Sequence, residues 1–249
     1  MPSANAVKRR KEIELFYFER VQALLDCWPA GTVDSMGEEP DIVVDRPEGR
    51  YGVEVTEMLR GEVRAVEETH RLICEKAHTL FQRRIDIDCL RVQVSFREHP
   101  PIRLRKQDQD AVAIALVEIV ASRIRARSEG AFRIHLEEGR DFHSDVILSI
   151  WLDYLPGVSD SLWTPIGGWW VPVASSDLVQ REIDRKQGKL AAYRTCVADV
   201  WLLVVLQGFS GAASWSVDDA VLTHRFKTNF NGVVLLDYAM NKAHRLLIV

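Results

Sequence analysis

The sequence predicts an α/β (α+β) fold, a mixed β-sheet flanked by helices, and three observations predict it. Four long stretches carry apolar residues at helical spacing: Lys8–Asp26, Gly61–Arg84, Asp108–Arg127 and Ser175–Val197. Between and after them lie short β-branched runs. One of these, Val200 to Leu206, is apolar at every position, as a central strand buried on both faces must be. Two further runs, Pro40–Asp45 and Tyr51–Thr56, flank a Pro- and Gly-containing segment, Arg46–Arg50, and so read as a β-hairpin.

The 249 residues, 47% hydrophobic and 27% charged, suit a soluble protein of one large domain or two small ones, with a substantial core. The predicted organisation is a core of residues 8–60 and 175–210, an elaboration over 61–174 and a C-terminal hairpin over 230–249. A net charge of −4 excludes a wholly basic nucleic-acid binder, but not one whose basic residues share a face. Local basic clusters occur at Lys8–Lys11, Arg83–Arg84, Arg103–Lys106 and Arg123–Arg127, and solvated helix faces and loops account for each of them. The four cysteines, Cys27, Cys74, Cys89 and Cys196, are scattered, with no CxxC pair and no zinc-like Cys/His spacing. Reduced thiols in a cytoplasmic protein are expected. No apolar segment follows the basic N-terminus, and no run approaches the roughly 20 apolar residues that span a bilayer, so no membrane partner is expected.

Along the first helix, Ile13, Phe16, Tyr17, Val21 and Leu24 gather on one side, and Glu14 falls within that side. A carboxylate on an inward stripe is costly unless it is paired or coordinating. The loop from Pro29 to Glu39 has room for a short strand before the hairpin. The second helix carries Val63, Val66, His70, Ile73 and Ala77 on its stripe, with His70 expected as a satisfied core residue. Cys89–Phe96 alternates as a strand, and Pro100-Pro101 ends it. The third helix follows, with Val112, Leu116, Ile119, Val120 and Ile124 as its apolar face. Two strands, Ala131–Glu137 and Asp145–Leu152, are joined through the turn at Glu138-Gly139-Arg140. Leu155–Trp170 is rich in Gly, Pro, Ser and Trp. Its Trp163, Trp169 and Trp170 are read as covering a sheet edge, with a docking surface as the alternative.

Ser175, Ser176 or Asp177 caps the fourth helix, whose stripe runs Val179, Ile183, Leu190, Val197. Lys186 lies inside this stripe, which is unusual for a lysine. Asp218 and Asp219 suit the first turn of a short helix. Val233–Asp237 and Ala243–Val249, joined through Asn241, form the closing hairpin.

Three features converge on one chemistry. Antiparallel pairing in the hairpin brings Asp41, near the start of one strand, alongside Glu54, well along the next. Glu14 and Lys186 each face inward from a helix. Acids that hold Mg²⁺ through oxygen, with a lysine supplying positive charge to the transition state, are what metal-dependent phosphodiester cleavage needs. Each residue also has a plain structural role open to it. Asp41 can cap a turn, Glu54 can pair at the surface with Arg50 or Arg60, Glu14 can lie at the rim or pair with an arginine, and Lys186 can snorkel to a carboxylate.

Pro40-Asp41, a spacer, then Glu54-Val55-Thr56 on the next strand resembles the PD-(D/E)XK superfamily of restriction-endonuclease-like nucleases. The resemblance covers residues 12–60 and 180–206. It implies a restriction-endonuclease-like core in which Asp41, Glu54 and the backbone carbonyl of Val55 bind Mg²⁺ or Mn²⁺, with a helical Glu, here Glu14, completing the site. The sequence departs from the pattern at Thr56, where the superfamily has lysine. Lys186 looks like a lysine that has migrated to a neighbouring element, giving a catalytic set of Asp41, Glu54 and Lys186. The Lys189–Tyr193 spacing is similar to the Gln-x-x-x-Tyr helix of the RecB-like branch, with lysine for glutamine. Arg185, beside Lys186, has the donors to hold a phosphate but points off the stripe.

The expected function is a Mg²⁺-dependent nuclease acting on nucleic acid, DNA rather than RNA, and the resemblance implies a homodimer that cuts both strands. Two alternatives stand beside it. One is an inactive nuclease-fold protein that binds nucleic acid or a protein. The other is an unrelated module that docks a partner through the Trp-rich segment.

Overall fold

The computed structural model describes residues 4–36, 40–85, 87, 89–97, 104–124, 130–157, 161–167, 171–208 and 210–249. In chain order the first elements are α1 (Ala4–Leu24), β1 (Thr32–Met36), β2 (Ile42–Arg46), β3 (Gly49–Glu57) and α2 (Gly61–Gln82). Then come β4 (Leu90–Phe96), α3 (Lys106–Ile124), β5 (Phe132–Glu137), β6 (Ile147–Tyr154) and β7 (Leu162–Ile166). The chain continues with α4 (Ser176–Gln187), α5 (Leu190–Tyr193), β8 (Asp199–Leu206) and α6 (Asp219–Thr223). It closes with β9 (Arg225–Phe226), β10 (Gly232–Asp237), β11 (Lys242–Arg245) and β12 (Leu247–Ile248). The predicted α+β class holds, with mixed sheets flanked by helices.

The chain divides into two compact units, Met1–Arg60 with Trp170–Val249, and Gly61–Trp169. The predicted elaboration over 61–174 thus corresponds closely to the second unit. That unit has a core of its own, which is why it separates.

The first unit is built on a six-stranded sheet in the order β1-β2-β3-β8-β10-β11. The β2–β3 hairpin is antiparallel, with Ile42 opposite Val53 and Arg46 opposite Gly49. β3 and β8 run parallel, as do β8 and β10. β8 is buried along almost its whole length, as its unbroken apolar run predicted. One face of the sheet carries Val53, Val55, Leu203 and Val205 against Tyr17, Phe18 and Val21 of α1. The other carries Val200, Leu202 and Val204 against Val179 and Ile183 of α4 and Leu190 and Tyr193 of α5. Strand side chains alternate between faces, so Glu54 and Thr56 share the α4 face, and Val53 and Val55 the α1 face.

Several elements depart from expectation for identifiable reasons. The buried line of α1 is Glu14, Tyr17, Phe18 and Val21, whereas Ile13 and Phe16 are 37% and 47% exposed. Phe16 lies at the rim, edge-on to Tyr238. The fourth predicted helix breaks at Gly188, a poor helix former. There the Lys189 N–H donates to the Lys186 carbonyl three residues back, and α5 starts afresh. Ser175 is the cap of α4, accepting from the Leu178 N–H at 3.3 Å, and Asp218 caps α6. The closing hairpin β10–β11 forms as expected, but the chain then leaves it, and β12 pairs with β9.

The second unit is a four-stranded sheet, β5-β6-β4-β7, packed with α2 and α3 around a core that includes Ile73, Phe81, Val92, Leu116 and Leu152. Leu155–Trp170 is not only loop. It contains the edge strand β7, parallel to β4, and Trp163 is buried in the core. Trp169 and Trp170, Pro100-Pro101, and the expected continuation of α3 through Arg127 lie outside the described residues. His70 is a core residue as expected. It stacks on Phe96 with ring centroids 4.1 Å apart, and burial holds its imidazole down at about 4.

Candidate active site

The site arises where β2 falls short of its partner. Pairing between β2 and β3 begins at Ile42–Val53, while β3 runs on to Glu57 alongside β8. From Glu54 onward β3 therefore has an edge that no β2 backbone claims. An unpaired, buried N–H or carbonyl there must find another partner. For Val55 both partners are side chains. Its N–H donates to Asp41 Oδ2 at 2.8 Å, and its carbonyl accepts from Lys186 Nζ at 3.3 Å.

Local sequence accounts for each placement. A Cβ on Gly52 would stand 2.5 Å from Pro40 Cγ and 2.9 Å from Val197 Cγ2. Glycine at this one position lets the Pro40 ring lie on β3, and Asp41 follows directly. Glu54 is the next residue on the same strand face. Lys186 reaches it because Val179, Ile183 and Lys186 form the buried line of α4. Lys186 Nζ donates to Glu54 Oε1, a buried ion pair between residues 132 apart in sequence. From α1, Glu14 accepts from Arg10 Nε at 2.7 Å, and Arg10 Nη2 lies 3.9 Å from Asp41 Oδ1.

The result is three acids, Glu14, Asp41 and Glu54, with two bases, Lys186 and Arg10. Asp41, Glu54, Glu14 and Lys186 are all between 2% and 7% exposed. With all five ionised, one negative charge is left over, and burial makes that state costly. The charge is relieved at Asp41, whose carboxyl is pushed up to about 7. Burial is the main cause and the Glu54 charge the next; Glu14 adds to it, and the Val55 N–H and Lys186 oppose it. Glu54 Oε2 is buried with no hydrogen-bond partner among the described residues. A carboxylate oxygen left this way typically costs about 1–3 kcal/mol or more, and an added cation or donor would satisfy it.

The donor set fits a divalent cation in kind. Two carboxylates and a backbone carbonyl are hard oxygen ligands, suited to Mg²⁺ or Mn²⁺. It is not a ready-made side-chain cage. Among the described residues no three His, Cys, Asp or Glu side chains form a group that could hold a metal. Lys186 lies on Glu54 Oε1 and the Val55 carbonyl, two of the oxygens the resemblance assigns to the metal.

All four side chains singled out in the sequence are thus brought together. The surface role open to Glu54 is excluded. It is buried, and Arg50 pairs instead with Asp34 and Asp45, and Arg60 with the Gly211 carbonyl. Lys186 does reach a carboxylate, but a buried one. Tyr193 packs in the core and Lys189 is exposed. The arginine partner open to Glu14 is Arg10, which sequence reasoning did not name although its i,i+4 spacing was the available signal. That reasoning also left Arg185 pointing away, whereas Arg185 Nη2 donates to Thr56 Oγ1 at 2.8 Å.

No helix among the described residues is long and apolar enough to cross a membrane, and the four cysteines are free thiols. No protein-family model matches the sequence, and comparisons with curated proteins and with solved structures return no match.

Proposed function

We propose that this chain is a divalent-cation-dependent nuclease that hydrolyses phosphodiester bonds, with DNA as substrate, and a divergent member of the PD-(D/E)XK superfamily. One observation carries the reading. The inward Glu54 of the hairpin and the inward Lys186 of a helix 132 residues away meet as a buried pair, beside a Val55 backbone held by Asp41. A buried acid with a free oxygen next to a raised carboxyl and a lysine is an arrangement expected of a reaction centre more than of a scaffold.

In this reading Asp41, Glu54 and the Val55 carbonyl hold Mg²⁺ or Mn²⁺, with Glu14 near enough in charge to assist. When bound, the metal supplies Lewis acidity and lowers the pKa of its water. The chain's own residues do the rest. The Val55 N–H fixes one oxygen of Asp41 and thereby aims the other. Lys186, held in low dielectric, offers positive charge to a developing phosphate oxyanion and takes the place that Thr56 cannot fill. Arg10 offsets the acids from the α1 side. A cytoplasmic location fits the free thiols, and a homodimer is the expected assembly for double-strand cleavage.

The test is incubation of the full chain with plasmid and oligonucleotide substrates in Mg²⁺ or Mn²⁺. Cleavage that disappears in both Asp41→Ala and Glu54→Ala is expected. No cleavage by the parent chain, or cleavage that persists in both variants, would refute the reading. A second reading, a nuclease-fold protein that binds without cutting, has its own observation: Thr56 stands where the superfamily carries lysine. It predicts nucleic-acid binding with no cleavage in either metal.

A further inference from the structure

Arg185 is the residue next to Lys186, but it faces outward, with its side chain 56% exposed. It nonetheless turns back onto the sheet. Nη2 donates to Thr56 Oγ1 at 2.8 Å, and Nη2 and Nε donate to Glu182 Oε2 at 2.7 and 3.0 Å. Nη1 has no partner among the described residues. Thr56 is itself buried, and it lies two residues beyond Glu54 on the same face of β3. Residues at that spacing stand about 7 Å apart along a strand.

Two cations therefore leave the end of α4 in different directions. Lys186 is committed to the interior, on Glu54 and Val55. Arg185 is held at the surface by a hydroxyl and a carboxylate, which take its Nε and Nη2 hydrogens and leave Nη1 for a further partner. A cluster of buried acids repels a polyanion, so a nucleic-acid substrate needs a cation at the rim to approach it. A guanidinium already fixed in orientation meets that need, because it offers the Nη1 N–H groups to a phosphate with little further ordering.

We propose that Arg185, seated on the Thr56 hydroxyl, is a substrate-binding residue that holds a backbone phosphate of the nucleic acid beside the Asp41–Glu54 site. This inference rests on the nuclease reading for its substrate class. Thr56 then has a positive role. At the strand position where the superfamily has lysine, a short hydroxyl leaves room for a guanidinium arriving from α4.

The experiment is fluorescence anisotropy of a labelled DNA duplex with the full chain, without divalent metal, over a series of salt concentrations. Arg185→Ala is expected to weaken binding about tenfold and to lower the salt dependence by about one counterion. Arg185→Lys is expected to keep the salt dependence and lose part of the affinity, and Thr56→Val to fall between parent and Arg185→Ala. With Mg²⁺, Arg185→Ala is expected to raise KM more than it lowers kcat. Unchanged affinity and salt dependence in a folded Arg185→Ala variant overturns the inference, as does a parent chain that binds no duplex. Arg185-dependent binding without cleavage sinks the nuclease reading alone. Normal cleavage with Arg185-independent binding sinks this inference alone.

Discussion

Replacing Lys186 with methionine keeps most of the side-chain volume and removes one charge. In the native structure that charge sits on Glu54, which is 2% exposed and has no other polar side-chain partner among the described residues. Breaking a buried pair from one side typically costs about 3–5 kcal/mol, because the other charge is left behind. The variant also leaves the Val55 carbonyl without its Lys186 donor. Lys186→Met should therefore destabilise the first unit by roughly 3–5 kcal/mol at pH 7. Adding Glu54→Gln should return much of the loss, since two neutral groups replace a broken ion pair. The assay is urea denaturation followed by tryptophan fluorescence, resolved into the transitions of the two units. A loss below about 1 kcal/mol at pH 7, or no recovery on adding Glu54→Gln, would refute the claim that Lys186 compensates a buried charge.

Three further outcomes follow from the same geometry. The Asp41 carboxyl is raised to about 7 from an ordinary value near 3.8, so the folded state binds its proton more tightly than the unfolded state does. Its contribution to stability is therefore full below pH 4 and is lost as pH rises to 7 and beyond. Asp41→Asn, which can still accept from the Val55 N–H, should accordingly match the parent near pH 4 and exceed it at pH 8, read from urea midpoints at the two values. Mg²⁺ at a hundred times its dissociation constant should stabilise the parent by about 2.7 kcal/mol at pH 8, an effect absent from an Asp41→Asn/Glu54→Gln double variant. Gly52→Ala forces a methyl against Pro40 and Val197. It should cost about 1–3 kcal/mol and lower cleavage through displaced Asp41, measured by thermal melting and plasmid nicking.

Much of this architecture was legible because it is local. The Val200–Leu206 run, the hairpin around Arg46–Arg50, and the helical spacing in α1 to α4 each declare their element within a few residues. The site was legible for a related reason. Glu14 and Lys186 are charged residues on apolar stripes, and solvation energy makes that pattern rare without a partner. Other features depend on neighbours far along the chain. Whether Ile13 or Glu14 faces inward on α1 is a shift of one residue, decided by where Tyr17 and Phe18 meet β3 and β8. Trp163 could not be told from a surface residue until β7 paired with β4.

From its sequence alone, this protein is determined to be an α+β chain in which an Asp–Glu hairpin and two inward charges stand ready to combine. Tertiary structure alone decided that they do combine. Residues 61–169 form a unit of their own, so β3 lies parallel to β8 across that gap and α4 lands over Glu54. It also decided what Thr56 meets. A hydroxyl in sequence shows nothing of its partner, and the guanidinium that meets it belongs to Arg185, 129 residues on. Hydrogen bonds and ion pairs act over a few ångströms, and only the folded chain sets those distances.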